Sequence, residues 1–256
     1  MYIIKADSIP VKILHLLQAD FTKYLAANYP STSVVGLFEC QPTISFGSKD
    51  SLNKLRKKVK NQSESIQIID KTYESKLQFE GLSQFSFVKS QRGGGSTYVG
   101  PGQRTVFFFA PVQKEKVTDF DQHVNTLIQS TLEQILDKPI AIKPKKDALY
   151  IDGKSEYKIA SKGLRFQSFS QRQYSQFGCS FYVQKKGLTG FEYVTPCGFD
   201  DLHTISCEDV LGRTISLSEF DSQLYTQLAV FEKEMIYPTD RQNTFQKKVE
   251  QYLHRL

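Results

Sequence analysis

The sequence predicts an α+β fold, a single domain over residues 1–256 in which helices pack on a mixed sheet. Two observations predict it. Apolar residues recur at helical spacing in three stretches, near the start, in the middle and toward the end of the chain. Between them lie short apolar or alternating runs that read as strands, without the strict strand–helix alternation of a doubly wound parallel sheet. The composition permits a core: hydrophobic residues make up 39% and charged residues 23% of the 256, with 19 Phe and 13 Tyr. Wholesale disorder is therefore excluded, and no apolar run approaches the ~18 residues a membrane-spanning helix needs.

In chain order, residues 11–27 form the first predicted helix, with Ile13, Leu14, Leu17, Phe21, Tyr24 and Leu25 on one stripe and Lys12, Asp20 and Lys23 outside it. Residues 34–39 read as a buried strand, broken by Gln41-Pro42, and 43–47 as a short second strand ending at a glycine. Residues 49–81 are polar and aperiodic, a loop or variable insertion. Strands follow at 85–88 and 105–110. A helix over 119–136 carries Phe120, Val124, Leu127, Ile128, Leu132, Ile135 and Leu136, with Thr118 or Asp119 as its cap and Pro139 at its end. Short strands are expected at 140–142, 148–151, 158–160, 164–166 and 177–183. The part from about 216 to 256 is helical, with Phe220, Leu224, Leu228 and Phe231 on one face and Phe245, Val249, Tyr252 and Leu253 on another.

Net charge is +6, too modest to point to nucleic acid, and no basic-aromatic signature accompanies it. Basic runs at Lys54, Arg56, Lys57, Lys58 and Lys60 and at 143–146 read as solvated faces or as attraction for an acidic partner. The four cysteines, Cys40, Cys179, Cys197 and Cys207, form no CxxC pair and fit neither a disulfide scaffold nor a zinc site. The N-terminal segment shows neither a secretory leader nor a mitochondrial presequence.

Three segments carry candidate chemistry. Five of the 15 glycines, Gly93, Gly94, Gly95, Gly100 and Gly102, fall within ten residues of Arg92 to Gln103. The loop fits neither a Rossmann nor a P-loop pattern; it reads as a tight hairpin with a bulge or as a loop whose backbone cradles a ligand. The second segment runs from Tyr157 to Arg165, with Lys158 at its start, either a snorkelling surface lysine or, with its pKa depressed, a base. The third, Thr195-Pro196-Cys197-Gly198-Phe199, puts a cysteine in a turn rather than a strand core, although most lone cysteines are inert. Of the histidines, His15, His123, His203 and His254, only His203 is near it in sequence.

Together, in this order and spacing, the segments resemble the lipoyl(octanoyl) transferase family. That family carries an RGG-x-x-T-Y-H-G-P-G-Q loop, a K-I-A-S/A-x-G-L-R strand pair and a P-C-G turn, matched here by Arg92 to Gln103, Lys158 to Arg165 and Pro196 to Gly198. Phe38 to Gly47 is similar to its E-x-x-P-x-x-T-x-G segment, and Asp147 to Ile151 stands where it has a TGVWV strand. The likeness covers roughly residues 10–215. It implies the catalytic fold of biotin and lipoate protein ligases, and transfer of octanoyl from acyl carrier protein through a cysteine thioester to a lysine of a lipoyl domain, on 2-oxoacid dehydrogenases or the glycine-cleavage H protein. Cys197 is then the nucleophile and Lys158 the general acid/base. Arg92, Gly93, Gly94, Gly95, Thr97, Tyr98, Gly100, Pro101, Gly102, Gln103, Ile159, Ala160, Ser161, Gly163, Gly178 and Gly198 are expected around substrate, with backbone N–H groups available to an oxyanion. No cofactor or metal is implied. The family setting implies mitochondria in a eukaryote and otherwise the cytoplasm.

The sequence departs from the family at two histidines, which align with Val99 and Phe177, and at an asparagine, which aligns with Tyr182. Two alternatives stay open: a lipoate amidotransferase or ATP-using ligase relative, the ligase opposed by the cysteine of the P-C-G turn, and a degenerate paralogue that binds lipoyl domains or acyl carrier protein without catalysis, which the histidine losses favour and the retained Cys197 and Lys158 oppose.

Overall fold

The structure, a computed structural model, describes residues 1–47, 67–68, 77–78, 85–143, 148–151, 157–169, 172–194 and 203–235. Its main sheet runs in the order β1 (Tyr2–Ile9), β2 (Val34–Cys40), β8 (Gln103–Phe109), β13 (Arg172–Tyr182), β12 (Tyr157–Phe169), β11 (Ala148–Ile151) and β10 (Ile140–Lys143). Short strands β9 (Pro111–Val112) and β14 (His203–Thr204) pair with β13 and β12. β1–β2 and β12–β14 are parallel and the remaining pairs antiparallel, the mixed sheet expected. The aromatic run on β8 explains its central place: Val106 and Phe108 enter the core on one face, Phe107 and Phe109 the core on the other. A strand covered on both faces favours a continuous apolar run, here Val106 to Phe109.

On one face lie α3 (Val117–Leu136), α4 (Cys207–Leu211) and α5 (Leu217–Met235), with Phe108 meeting Phe231 at 5.3 Å between ring centroids. The predicted apolar faces of α3 and α5 are those that pack. The start of α3 differs from expectation: the helix begins at Val117 and neither Thr118 nor Asp119 caps it. Asp119 instead sits in its first turn, where a carboxylate suits the helix dipole.

The other face carries the 11–27 region, which is not one regular helix. It comprises α1 (Val11–Leu16), a π turn (Leu17–Phe21) and α2 (Thr22–Asn28). Leu14, Phe21 and Leu25 are buried as the stripe requires, but so are Gln18 and Thr22. A second sheet, in the order β6 (Ser86–Lys89), β3 (Thr43–Phe46) and β7 (Thr97–Val99), has its own cluster of Ile44, Phe46, Phe85 and Tyr98.

The strands expected separately at 158–160 and 164–166 are one strand, β12, held in a long hairpin with β13 from Ala160↔Phe181 to Phe169↔Arg172. Gly163 and Gly178 face each other at its middle; Gly163 lies between two of the expected strands, whereas Gly178 lies within the expected strand 177–183. Gly178 has a packing reason, since a Cβ there would collide with the Val106 carbonyl oxygen of β8. β1, with its half-exposed alternation, was not foreseen. Within 49–81 only β4 (Gln67–Ile68) and β5 (Leu77–Gln78) are described, as an antiparallel pair. The basic run at 54–60, most of that at 143–146, and the face of Phe245, Val249, Tyr252 and Leu253 lie outside the described residues.

A buried ion pair ties the far helix to the sheet. Arg104 on β8 donates from Nε and Nη2 to the two carboxylate oxygens of Asp221 on α5, at 2.7 and 3.0 Å. Both residues are almost fully enclosed, while Lys5 and Asp7 on β1 complete the cluster at 2.6 Å from Asp221 and 3.3 Å from Arg104. Removing one member leaves a buried charge uncompensated, a loss of about 3–5 kcal/mol. Asp221→Ala should therefore lower the unfolding free energy from denaturant titration by that order, and the double change Arg104→Met with Asp221→Leu should recover most of it. Equal stability of Asp221→Ala and wild type would show that the pair carries no load.

Candidate functional site

The glycine-rich loop is not a hairpin. The strands it connects, β6 and β7, are not neighbours but flank β3, so residues 90–96 cross over the end of β3. Arg92 shapes the crossing. Its guanidinium donates to the Ser45 carbonyl (2.8 Å), the Gly95 carbonyl (2.6 Å) and the Gly93 carbonyl (3.2 Å), and more weakly to Ser45 Oγ (3.4 Å). Gly94 has φ +84°, a left-handed conformation that suits glycine, and a Cβ on Gly47 would strike the Gly94 carbonyl. Residues 100–103 form a type II turn, with Pro101 first, Gly102 second at φ +85°, and the Gln103 N–H donating to the Gly100 carbonyl at 3.1 Å. Glu39 accepts the Gly102 N–H at 2.8 Å. The Phe38–Gly47 segment thus anchors both ends of the loop.

The loop lies against β12: Gly163 faces the Arg92 stem, and Gly93 approaches the Leu164 carbonyl. Between them is a cavity of ≈ 70 Å³. Its apolar lining is Val11, Leu14, Val99, Phe107 and Phe177; its polar lining is Ser45, Arg92, Thr97, Thr105, Ser161, Lys162 and Ser180. Six of the sequence-predicted substrate residues line it: Arg92, Gly94, Thr97, Ser161, Gly163 and Gly178. The Thr97 hydroxyl is buried there with no hydrogen-bond partner among the described residues.

The other predicted residues stand behind this wall. Tyr98 is buried in the small sheet against Gly100, Gly190 and Phe191. Gly100, Pro101 and Gly102 make the turn, and Gln103 Nε2 donates to the Gly187 and Tyr98 carbonyls. Gly93 and Gly95 serve the crossing. Ile159 and Ala160 belong to the main core. Lys158, the one lysine without exposed surface among the described residues, sits between β11 and β14, paired with Tyr150 and Thr204. Cys197 and Gly198 lie outside the described residues.

The other three cysteines are all buried. Burial pushes the thiols of Cys40 and Cys207 up to about 12 and raises that of Cys179 further. Cys40 and Cys179 line the cavity, but as thiols rather than thiolates.

The aligned losses cluster on the apolar wall. Val99 and Phe177 both face the cavity, and Phe177 has φ +63°, a conformation in which His is enriched and a bulky apolar residue is an outlier. Phe177 is packed edge-on against Phe107 and against His15 from α1, at 5.9 and 5.7 Å. Sequence reasoning passed over His15 because nothing local links it to the motifs. Burial, with a smaller contribution from the Arg92 charge, lowers its pKa to about 4, so it stays neutral at physiological pH. Tyr182, at the asparagine position, is buried and donates to Ser161 Oγ at 3.2 Å.

Residues 16–229 match the family described as lipoyl protein ligase A/B catalytic domain. The chain belongs to that family. Among curated relatives, the octanoyltransferase of Haemophilus influenzae (strain PittEE) is 31% identical over 137 residues, 51% of this chain and 59% of that protein. That of Vibrio atlanticus is 31% identical over 147 residues, covering 55% and 61%. These matches thus span less than two thirds of the relatives' length. Among solved structures, lipoate-protein ligase A bound with ATP superposes with a TM-score of 0.61 at 12% identity, over 93% of this chain and 87% of that one. A bipartite lipoate protein ligase from Thermoplasma acidophilum gives 0.58 at 11%, over 92% and 85%. The lipoate-ligase fold expected from the motifs is therefore the fold observed. Among the described residues, no helix is long and apolar enough to cross a membrane.

The enclosed His15 has a measurable consequence. The unfolded chain takes up a proton on this ring below pH ~6.5 and the folded chain only near pH 4, so its contribution to stability is intact above 6.5 and declines as the pH falls toward 4. The melting temperature of wild type should drop more steeply across this window than that of His15→Asn. Parallel profiles would show that the ring protonates in place.

Proposed function

We propose that this chain transfers octanoyl groups from acyl carrier protein to lysines of lipoyl domains, through a thioester on Cys197 with Lys158 as general acid/base. The observation that carries the reading is the pairing of two of the three family motifs: the glycine loop folded on β12, with the enclosed Lys158 at the start of that same strand. The curated relatives named octanoyltransferase support the substrate. Elimination supports the nucleophile, because the other three cysteines are buried with raised thiol pKa values. Topology supports the dyad, since His203 and Thr204, six and seven residues beyond Cys197 in sequence, pair with Tyr157 and Lys158.

The chemistry then runs in two balanced steps. The Cys197 sulfur attacks the carrier thioester; its S–C bond forms as the carrier's breaks. Lys158 takes the thiol proton and gives it to the leaving carrier thiol. The lipoyl-domain amine next attacks the acyl-cysteine, an amide forms, and the Cys197 thiol is released with the proton returned. Thioester exchange is close to neutral and amide formation is downhill, so neither step needs ATP. The apolar wall of Val11, Leu14, Val99, Phe107 and Phe177 receives the acyl chain, and backbone N–H groups of the Gly93–Gly95 or Lys158–Gly163 segments face the oxyanion. Acceptors are the lipoyl domains of 2-oxoacid dehydrogenases or the glycine-cleavage H protein, in the mitochondrion of a eukaryote or the cytoplasm of a bacterium.

Mixing with octanoyl carrier protein and no ATP should add one octanoyl mass to the denatured protein. Cys197→Ser should lose the hydroxylamine-labile adduct, and Cys40, Cys179 and Cys207 variants should keep it. An adduct that needs free octanoate and ATP points to a ligase, and a folded protein that binds the carrier without any adduct points to the degenerate paralogue. Lys158→Ala should slow transfer about 10²- to 10⁴-fold while the melting curve stays cooperative; near-wild-type turnover would remove Lys158 from the mechanism.

A further inference from the structure

A second cavity of ≈ 460 Å³ opens beneath the π turn and shares two wall residues, His15 and Phe177, with the smaller one. Its size falls within the range of about 300–1,000 Å³ typical of small-molecule sites. The lining supplies three cations, Lys12, Lys89 and Arg165, and no carboxylate among the described residues. It also supplies a set of side-chain amides, and one of these, Gln18, is unusual. Gln18 is 2% exposed, and among the described residues neither its side-chain nitrogen nor its oxygen has a hydrogen-bond partner. Leaving a buried donor or acceptor unmet costs about 1–3 kcal/mol, and π turns inside helices recur at functional sites. A buried amide that offers one donor face and one acceptor face complements another amide. Cations at the rim complement a phosphate.

We propose that this cavity binds a phosphopantetheine arm, with an arm amide hydrogen-bonded to Gln18, the phosphate held by Lys12 and Arg165, and the thiol end directed past His15 and Phe177 into the smaller cavity. The inference rests on the acyl-transfer reading above, which brings such an arm to the site with its acyl group. The arm occurs both on carrier proteins and in coenzyme A, and the site reads the chemistry the two share.

Binding tests this without any transfer step. Phosphopantetheine and pantetheine, both as free thiols, are titrated calorimetrically into the whole protein, followed by holo carrier protein, apo carrier protein and coenzyme A. Gln18→Leu should weaken binding of both small thiols tenfold or more, and its melting temperature should hold or rise because two unmet buried polar atoms are removed. Arg165→Ala should weaken phosphopantetheine but not pantetheine, which keeps the test decisive if Gln18→Leu fails to fold. Binding of holo but not apo carrier assigns the arm to the carrier protein; equal binding of coenzyme A assigns it to either source. Wild-type affinity in both variants, or no binding of phosphopantetheine, would overturn the site. Binding that follows the expected pattern in a protein that transfers no octanoyl group would retire the transferase reading and leave the arm site standing.

Discussion

The guanidinium of Arg92 is the constraint on which the site depends. A loop with three consecutive glycines has the largest conformational entropy to lose on ordering, and on its own it has no reason to hold one shape. Arg92 gathers the carbonyls of Ser45, Gly93 and Gly95 onto one planar fork, which fixes the loop to β3 and sets its far side against Gly163 of β12. Two glycines are required outright: a Cβ on Gly47 would strike the Gly94 carbonyl, and Gly94 itself has φ +84°. Donor and glycines are thus two halves of one device. A lysine in place of Arg92 would present a point charge rather than a fork.

The rest of the fold serves that crossing at a distance. Glu39 holds the Gly102 N–H, so β2 carries the turn that starts β8. β8, buried on both faces, sets β13 by its pairing from Gln103↔Tyr182 to Phe107↔Gly178, and β13 sets β12 through the long hairpin. The Arg104–Asp221 pair then fastens α5 to β8 from the opposite layer. Each residue that lines the small cavity from β8, β12 or β13 is positioned by backbone pairing, and side-chain hydrogen bonds such as Thr105–Ser180 and Tyr182–Ser161 link several of them to one another or to their neighbours.

Much of this was legible in the sequence because it is local. The glycine cluster, the apolar run of β8, and the faces of α3 and α5 are periodic or compositional signals. What was not legible is non-local. The order β6-β3-β7 makes the glycine loop a crossing instead of a hairpin, and no spacing rule encodes which strand intervenes. Gly163 read as a break because its reason is the Arg92 stem, some seventy residues earlier. The π turn went unread because the stripe of Leu14, Phe21 and Leu25 looks helical with or without an inserted residue. Gln18, four residues after Leu14 and three before Phe21, did leave a signal: a polar side chain on an apolar face. The segment with Cys197 lies outside the described residues, so its motif stands on sequence and on the neighbouring pairing of β14.

The apolar wall shows how one position can alter chemistry without altering architecture. Phe177 keeps the left-handed backbone that a histidine adopts more readily, at a cost of order 1–3 kcal/mol, and it is offset by edge-on packing against Phe107 and His15. Exchange of a polar ring for an apolar one there takes a proton donor out of the strand and thickens the hydrophobic side of the cavity. An imidazole is nevertheless present at the same wall, contributed by α1 and kept neutral by its surroundings. It borders both cavities. A chain that spans both passes a neutral ring that accepts or donates a hydrogen bond and a phenyl ring that does neither, one contributed by α1 and the other by β13.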